Sequence, residues 1–285
     1  MTRPAILLTG AAGQLGFELR EALSAHGEVT AYDRASLDLR DADAIVRCVR
    51  SLRPQLIVNA AAYTAVDRAE SDAASAQSIN ADAPAILAAE AQRAGALLIH
   101  FSTDYVFDGA AREPYAEDAA THPLGVYGRS KRDGERAIEA SGCAYLIFRT
   151  SWVYGARGSN FLLTMQRLAR ERDELRVVAD QIGVPNWSRD LARAVATLVG
   201  GGVPALTEKS GRYHLSAGGS TSWFDFACAI VGERVRVVPI TTAEYPTPAR
   251  RPAYGVLATS KFERVFGFAL AHWRDALARC LQSQD

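Results

Sequence analysis

Three glycines at a spacing of three residues stand near the start of the chain, between an apolar segment and an amphipathic one. Gly10, Gly13 and Gly16 follow the apolar residues 5–8 and precede a segment with helical periodicity. Glycine permits a tight turn and a close approach of a ligand phosphate to the backbone, and the positive end of the following helix attracts its charge. The feature therefore predicts a strand-turn-helix unit that binds a dinucleotide.

Predicted strands and helices alternate along the first half of the chain. The strands are expected at residues 4–9, 29–32, 56–59, 96–102 and 143–149, and the helices at residues 14–25, 41–51, 71–95 (with a boundary or kink at Pro84) and 126–140. This alternation predicts an α/β fold with a doubly wound, parallel, Rossmann-like sheet. Ligands of such sheets bind beyond the carboxyl ends of the strands, where Gly10, Asp33, Asn59 and Thr103 all fall.

The pattern changes after residue 155. Helices are expected at residues 161–172 and 190–199, a loop at residues 180–186 and a strand at residues 211–216, whereas the prolines of residues 245–252 exclude a regular element. We therefore predict an NAD(P)-binding domain over residues 1–155 and a smaller, mostly substrate-binding lobe over residues 156–285. Segments near residues 186–235 are expected to return to the first domain.

Composition excludes several classes of protein. Basic and acidic residues number 32 each, so the chain lacks the basic surface of a nucleic-acid or membrane-surface binder. The N-terminus has no signal-peptide cleavage pattern, and no apolar run reaches the length of a membrane span. The four cysteines form no Cys-x-x-Cys pair and the five histidines no metal-ligand spacing. A cytoplasmic protein with reduced thiols is expected.

Tyr127 and Lys131 lie four residues apart on one predicted helix, so their side chains share a face. A lysine ammonium beside a tyrosine is expected to favour the phenolate, lower the tyrosine pKa and make the phenol an acid or base near neutral pH. Thr103, at a strand end, could orient a carbonyl group by a hydrogen bond. These residues predict proton transfer at a carbonyl next to the dinucleotide.

The choice of cofactor and several contacts stay open at the level of sequence. Asp33, 17 residues beyond Gly16, could accept from adenosine ribose hydroxyls as in NAD sites, but Arg34 could meet a 2′-phosphate. Asp104 could contact a substrate or cap a helix. Trp152 could wall a pocket or belong to the core, and Arg251 could clamp a phosphate or lie on the surface.

Together these motifs resemble the extended short-chain dehydrogenase/reductase family, and within it the bacterial dTDP-4-dehydrorhamnose reductases. The resemblance is carried by residues 9–16, 58–67, 102–107, 127–131, 148–154, 180–185 and 245–252. It implies that NADPH or NADH reduces the C4 ketone of dTDP-4-dehydro-β-L-rhamnose to dTDP-β-L-rhamnose, an activated sugar for lipopolysaccharide and other surface glycans. The expected partner is thus a small nucleotide sugar.

The same resemblance implies roles for individual residues. Tyr127 would protonate the C4 oxygen, Lys131 would hold the nicotinamide ribose, and Thr103 would lie beside the carbonyl. The implied cofactor contacts are Gly10, Gly13, Gln14, Leu15, Gly16, Asp33, Asp38, Leu39, Ala61, Ala62, Tyr63, Tyr127 and Lys131. The implied substrate contacts are Thr103, Asp104, Trp152 and Arg251.

Some relatives bind Mg²⁺ through glutamates at a dimer interface, which makes Mg²⁺ and a homodimer family expectations. Glu18 fits one such metal position, whereas Arg189 replaces another. Two other functions are compatible with the motifs. One is a nucleotide-sugar epimerase or dehydratase of the same superfamily, for which Asp104 stands beside Thr103. The other is a non-catalytic regulatory subunit like that of methionine adenosyltransferase.

Overall fold

The computed structural model describes residues 3–283 as alternating strands and helices followed by a mixed C-terminal region. The strands are β1 (Ala5–Thr9), β2 (Glu28–Tyr32), β3 (Leu56–Asn59), β4 (Leu97–Thr103), β5 (Ala144–Thr150), β6 (Val153–Tyr154), β7 (Glu174–Val178), β8 (Ile182–Gly183), β9 (Asn186–Trp187), β10 (Gly211–His214), β11 (Thr221–Ser222) and β12 (Arg236–Ile240). The α-helices are α1 (Gln14–Leu23), α2 (Ala42–Leu52), α3 (Val66–Ala69), α4 (Ala73–Gln77), α5 (Ala83–Ala94), α6 (Val126–Ala140), α7 (Phe161–Glu171), α8 (Ser188–Gly200), α9 (Val203–Thr207), α10 (Trp223–Val231), α11 (Ser260–Phe266) and α12 (Trp273–Gln282).

Six parallel strands form the main sheet in the order β10-β5-β4-β3-β1-β2. The chain adds strands first on one side of β1 and then on the other, so the order reverses between β1 and β3. Thr9 pairs with Asn59, so the ends of β1 and β3 are level, whereas Asn59 pairs with His100 and β4 continues three residues further, to Thr103. The predicted α/β fold is confirmed, and the reversal point is where such sheets bind ligands.

Both faces of the sheet are covered by helices. Ile6 and Leu8 of β1 point to a core formed with α1, α8 and α11, whereas Leu7 points to the opposite core formed with α2, α5 and α6. All three side chains are fully buried. Burial on both faces explains why β1, β3 and β4 are continuous apolar runs and not alternating ones.

The helix predicted for residues 71–95 is interrupted ahead of Pro84. A π-helical segment, Ser78–Asp82, joins α4 to α5, and Pro84 takes the second position of α5. The wide turn presses against α6, because a Cβ on Gly134 would lie 2.1 Å from the carbonyl oxygen of Asn80. The interruption therefore fixes α6, which carries Tyr127 and Lys131, against the helical layer.

The C-terminal region supplies elements to two cores. Side chains of α8, α9, β10 and α11 join the core on one face of the main sheet. A separate core contains Phe226 and Trp273 and is built from α7, α10, α12 and the parallel pair β7 and β12. The division of domains at residue 155 stays a prediction, although α8 and β10 lie in the segment expected to return to the sheet.

Several short elements of the C-terminal region differ from the expectation. The predicted loop over residues 180–186 contains the two-residue strands β8 and β9, and the region after the glycine connector contains the helix α9. Residues 245–252 form neither helix nor strand, as their prolines predict. Among residues 3–283, no helix has both the length and the apolar character needed to cross a membrane.

Candidate active site

The glycine turn between β1 and α1 leaves no room for side chains. Gly10 has φ 75°, and a Cβ there would lie 2.6 Å from the backbone nitrogen of Ala61. A Cβ on Gly16 would lie 2.0 Å from the carbonyl oxygen of Gly10. The turn is thus closed against β3 and against the first turn of α1, whose N-terminal amides are open to bind an anion.

A cavity of about 790 Å³ lies at the carboxyl edge of the sheet, over the reversal point. Its volume is within the range of small-molecule sites. The predicted site residues that line it are Gly10, Gly13, Gln14, Leu15, Asp33, Asp38, Leu39, Ala61, Ala62, Tyr63, Thr103, Asp104, Tyr127, Lys131 and Trp152. Gly16, Glu18 and Arg251 are not among the lining residues. The fold therefore brings almost all of the expected cofactor and substrate contacts into one space.

Two carboxylates and one arginine lie at the β2 end of the cavity. Asp33 Oδ1 accepts from the backbone amides of residues 35 and 36 and from a serine hydroxyl at 2.8 Å, and these bonds lower its pKa. The Arg40 guanidinium lowers the pKa of Asp38 to about 2. Arg34 is exposed on the same wall. Acceptors for ribose hydroxyls and a cation for a 2′-phosphate are both present.

Lys131 is almost completely buried on α6. Its Nζ donates to the carbonyl oxygen of Phe101 at 2.7 Å and lies 3.1 Å from Nε2 of His100. Burial lowers the pKa of Lys131 to about 8, and the charge of Glu135 opposes this change. Lys131 is thus held by β4, with a charge that changes close to physiological pH.

The pKa of Tyr127 is contrary to the expectation from the sequence. Burial raises it to about 12, the Thr103 hydroxyl partly offsets this rise, and Asp104 adds to it. Lys131 does not lower it, because its Nζ is directed to β4. The ring also packs edge-on against Tyr105, with the two ring centres 5.5 Å apart. Tyr127 is therefore a protonated phenol at neutral pH, the form that can give up a proton.

Thr103 and Asp104 form a compact pair at the end of β4. The Thr103 hydroxyl donates to Asp104 Oδ1 at 3.0 Å and accepts from the Tyr105 amide at 3.1 Å. Asp104 is buried, and this burial raises its pKa to about 7. A Cβ on Gly255 would lie 2.5 Å from Asp104 Oδ2, so the chain closes tightly over the carboxyl group. Thr103 caps the turn of residues 104–106, and both residues line the cavity.

Trp152 lies on the cavity wall in a strained conformation. Its φ of 41° is in the left-handed region, which bulky residues seldom adopt. The indole stacks on Trp223, with ring centres 3.5 Å apart and planes 10° apart, and a Cβ on Gly183 would lie 2.5 Å from it. Trp223, at the start of α10, also lines the cavity. Trp223 was not predictable as a site residue, since no motif surrounds it in the sequence.

Arg251 and Glu18 are engaged with other side chains. The guanidinium of Arg251 forms two hydrogen bonds of 2.8 and 2.7 Å with the carboxylate of Asp67, outside the cavity lining. Glu18, the candidate metal ligand, is paired with Arg189 at 2.9 Å. Over residues 3–283 no group of three or more His, Cys, Asp or Glu side chains could hold a metal ion. The expected Mg²⁺ site is not supported, because an arginine already neutralises the carboxylate.

Two cavity hydroxyls have no hydrogen-bond partner within the described part of the chain. Ser102 Oγ on β4 and Thr150 Oγ1 on β5 are both buried and both belong to the lining. Buried polar atoms are usually paired, so an unpaired one in a cavity wall indicates a place for a polar ligand group. Both residues lie within motifs noted in the sequence, residues 102–107 and 148–154, although no role was predicted for either hydroxyl.

The doubly wound sheet, the closed glycine turn and the cavity at the reversal point define a Rossmann-like protein of the NAD(P)-binding class. Within that class, the chain belongs to the family described as RmlD substrate binding domain, which matches residues 4–285.

Known proteins resemble the chain over nearly its whole length. It is 45% identical to a dTDP-4-dehydrorhamnose reductase of Burkholderia thailandensis, over 97% of this chain and 98% of that protein. It is 44% identical to a dTDP-4-dehydrorhamnose reductase of Escherichia coli K12, over 97% of this chain and 96% of that protein. A crystal structure of dTDP-4-dehydrorhamnose reductase from Bacillus anthracis in complex with NADP superposes with a TM-score of 0.93 at 38% identity, covering 99% and 100% of the two chains.

Proposed function

We propose that this protein is an NAD(P)H-dependent oxidoreductase that reduces the C4 ketone of dTDP-4-dehydro-β-L-rhamnose to dTDP-β-L-rhamnose. The observation that carries the proposal is the meeting of Thr103, Tyr127 and Lys131 in one cavity with the closed glycine turn. Relatives that are 45% and 44% identical bear the name of this reductase. The reaction is the last step in the formation of the activated sugar.

The cavity fits a nicotinamide dinucleotide. The absence of side chains at Gly10 and Gly16 lets a pyrophosphate approach the start of α1. Asp33 and Arg34 lie where the adenosine ribose would be held, and the unpaired hydroxyls of Ser102 and Thr150 offer bonds to polar groups deeper in the cavity. When bound, the cofactor supplies the hydride that reaches C4 of the sugar.

Tyr127 acts as the proton donor in this proposal. Because its pKa is raised to about 12, the phenol is protonated before reaction and can donate from Oη to the C4 oxygen as the hydride arrives. Lys131, one helical turn away, lines the same cavity and holds the nicotinamide ribose. The Thr103 hydroxyl orients the ketone, and Asp104 and Trp152 contact the sugar.

A direct assay tests the reaction. The purified protein is mixed with NADPH and dTDP-4-dehydrorhamnose, and the absorbance of the reduced nicotinamide is followed together with product formation. We expect one NADPH consumed for each dTDP-rhamnose formed. Tyr127→Phe is expected to lower the rate by roughly 10²–10⁴ while NADPH still binds. Tyr145 lies at the amino end of β5 and does not line the cavity, so Tyr145→Phe is the matched control that removes a phenol hydroxyl at the opposite edge of the sheet. An unchanged rate in Tyr127→Phe would contradict the assignment.

One observation favours a second candidate, a nucleotide-sugar dehydratase or epimerase of the same fold. Asp104 lies beside Thr103 and its pKa of about 7 lets it exchange a proton near neutral pH. Such an enzyme regenerates its cofactor within each turnover. Product formation without net loss of NADPH would therefore support this candidate in place of the reductase. If no product forms and no NADPH is consumed, the result would favour a regulatory role.

We further propose that this protein is cytoplasmic and that it forms a homodimer. The four cysteines are free thiols, as in proteins of reducing compartments, and the proposed substrate and cofactor are cytoplasmic metabolites. Cell fractionation tests the compartment, and sedimentation velocity of the purified protein tests the dimer.

A further inference from the structure

A buried series of hydrogen bonds connects the glycine-turn strand with Lys131. The Thr9 hydroxyl lies 2.7 Å from Asn59 Oδ1, Asn59 Nδ2 lies 3.0 Å from His100 Nδ1, and His100 Nε2 lies 3.1 Å from Lys131 Nζ. Each of the four side chains is at most 1% exposed. They come from adjacent strands β1, β3 and β4 and from α6, so the sheet itself sets the spacing.

The backbone determines how the Asn59 amide is oriented. Its Oδ1 accepts from the amide of Ala61 at 3.3 Å as well as from Thr9. A backbone N–H can only donate, so the oxygen of Asn59 must face Ala61 and the NH₂ group must face His100. Since an NH₂ group also only donates, His100 Nδ1 accepts and carries no hydrogen.

His100 must then present its hydrogen to Lys131. Burial, together with the charge of Lys131, holds the pKa of His100 well below its ordinary value, so the ring is neutral and has one N–H. With Nδ1 as acceptor, that N–H is on Nε2, directed at Lys131 Nζ. An amine can accept this bond through its lone pair and still donate to Phe101, whereas an ammonium has no lone pair and opposes it.

We propose that Asn59 and His100 are positioning residues that favour the amine form of Lys131 and so set the pH above which a nicotinamide dinucleotide binds weakly. The proposal rests on the proposed function only in taking this cofactor as the ligand. An ammonium is attracted to the phosphates of the cofactor and has a further donor for its ribose, and an amine lacks that charge. Loss of the Lys131 proton therefore weakens binding.

The other titratable groups near Lys131 keep their protonation states over most of the pH range in which Lys131 loses its proton. Glu135, one turn further along α6, favours the ammonium and is itself paired with the buried Arg149 at 2.6 Å. Tyr127 is neutral below about pH 12, and Asp104, in the same cavity, is ionised above about pH 7. Between pH 7.5 and 10 Lys131 is thus the group of this set that titrates, with a pKa of about 8 in the free protein.

The direction of the pH effect follows from linkage. Phosphates raise the pKa of Lys131 in the complex above its value of about 8 in the free protein. Binding is therefore strongest below pH 8, and the Kd rises by up to about tenfold per pH unit above it. We call the pH above which the Kd begins to rise the onset. If His100 lowers the pKa of Lys131 in the free protein, replacing His100 by a residue that accepts a hydrogen bond from Nζ moves this onset to higher pH.

The test measures NADPH binding to the full chain by nicotinamide fluorescence between pH 7.5 and 10, where the 2′-phosphate no longer titrates. His100→Gln offers a carbonyl oxygen to Nζ, and we expect the onset to move up by at least about one pH unit, so that the Kd at pH 9 falls at least about fivefold. Lys131→Met is expected to remove the onset, and Asp104→Asn to keep it.

Two outcomes overturn the proposal. One is an onset in His100→Gln equal to that of the wild type, with similar Kd at pH 7.5. The other is an onset that survives in Lys131→Met. Should His100→Gln not fold, Asn59→Asp replaces it: its carboxylate accepts from Nδ1–H, which leaves Nε2 as an acceptor, and the same upward move is expected. A wild-type chain that binds no NADPH at any pH would refute the proposed function, a result distinct from binding without the predicted onset.

Discussion

Replacing Gly16 by alanine tests whether the closed turn is what makes the dinucleotide site. The added Cβ would lie 2.0 Å from the carbonyl oxygen of Gly10, 2.7 Å from its carbonyl carbon and 3.1 Å from Cα of Ala11. Real Cβ contacts are essentially never shorter than 3.0 Å, so about 1 Å of space must open. The obstructing atoms belong to the backbone and cannot rotate away, so α1 must move from the turn.

The expected magnitude follows from the cost of overpacking. Inserting a methyl group into a closed site typically costs about 1–3 kcal/mol, divided here between the free energy of unfolding and the free energy of cofactor binding. Because about 1.4 kcal/mol corresponds to a tenfold change in affinity, the Kd for NADPH is expected to rise by between about twofold, if half of a cost of about 1 kcal/mol falls on binding, and about 100-fold, if nearly all of about 3 kcal/mol does. The rate at saturating NADPH should change much less, since Tyr127 and Thr103 are on other elements.

Fluorescence titration with NADPH and urea unfolding measure the two contributions. Gly201→Ala is the matched control: Gly201 follows α8 with φ −76°, and its Cβ would lie 3.3 Å from the carbonyl oxygen of Leu198. We expect that control to bind NADPH like the wild type and to differ in stability by less than about 0.5 kcal/mol. NADPH affinity in Gly16→Ala equal to that of the wild type would refute the reasoning about the turn.

Three further predictions concern charge. Arg149→Met is expected to lower the free energy of unfolding by up to about 3–5 kcal/mol, because the buried Glu135 carboxylate loses both hydrogen bonds from Arg149 and keeps the more distant Arg212, at 3.7 Å. Arg167→Met breaks an exposed ion pair and is expected to cost less than about 1 kcal/mol; equal losses in urea unfolding would contradict the role of burial. Burial raises the pKa of Asp104 to about 7 from an ordinary value near 4, so its contribution is complete below pH 4 and is lost as the pH rises to 7. The free energy of unfolding of the wild type, relative to that of Asp104→Asn, is expected to fall by up to about 4 kcal/mol over that range, at about 1.4 kcal/mol per pH unit. Parallel plots of the two free energies against pH would contradict the raised pKa of Asp104. Arg34→Ala is expected to raise the Kd for NADPH about tenfold and leave that for NADH unchanged, if the guanidinium meets the 2′-phosphate; equal effects on both cofactors would remove Arg34 from that role.

The fold of the first half was predictable because its signals are local. The apolar strand of β1 and the glycine turn indicate their own conformations, and the predicted bounds of β3 and α6 agree with those observed. Elements after residue 180 were harder, since short ones such as β8 and α9 have no periodicity of their own. Their structure depends on neighbours that are distant in sequence.

The candidate site divides in a similar way. Tyr127 and Lys131 could be named from their spacing, because four residues on a helix place two side chains on one face. Trp223 could not, since it reaches the cavity from α10 by stacking on Trp152, which is distant in sequence. The pairing of Arg251 with Asp67 was equally invisible, because 184 residues separate the two.

The sequence by itself determined the class of fold, the glycine turn and the types of group that line the cavity, since these follow from local patterns of apolar residues, glycines and helical spacing. Only the tertiary structure decided the state of those groups. Burial makes Tyr127 a neutral phenol and brings the pKa of Lys131 to about 8, and an arginine from α8 occupies the carboxylate of Glu18. Solvation and charge at a residue depend on everything packed around it, and that surrounding is assembled only when distant parts of the chain meet.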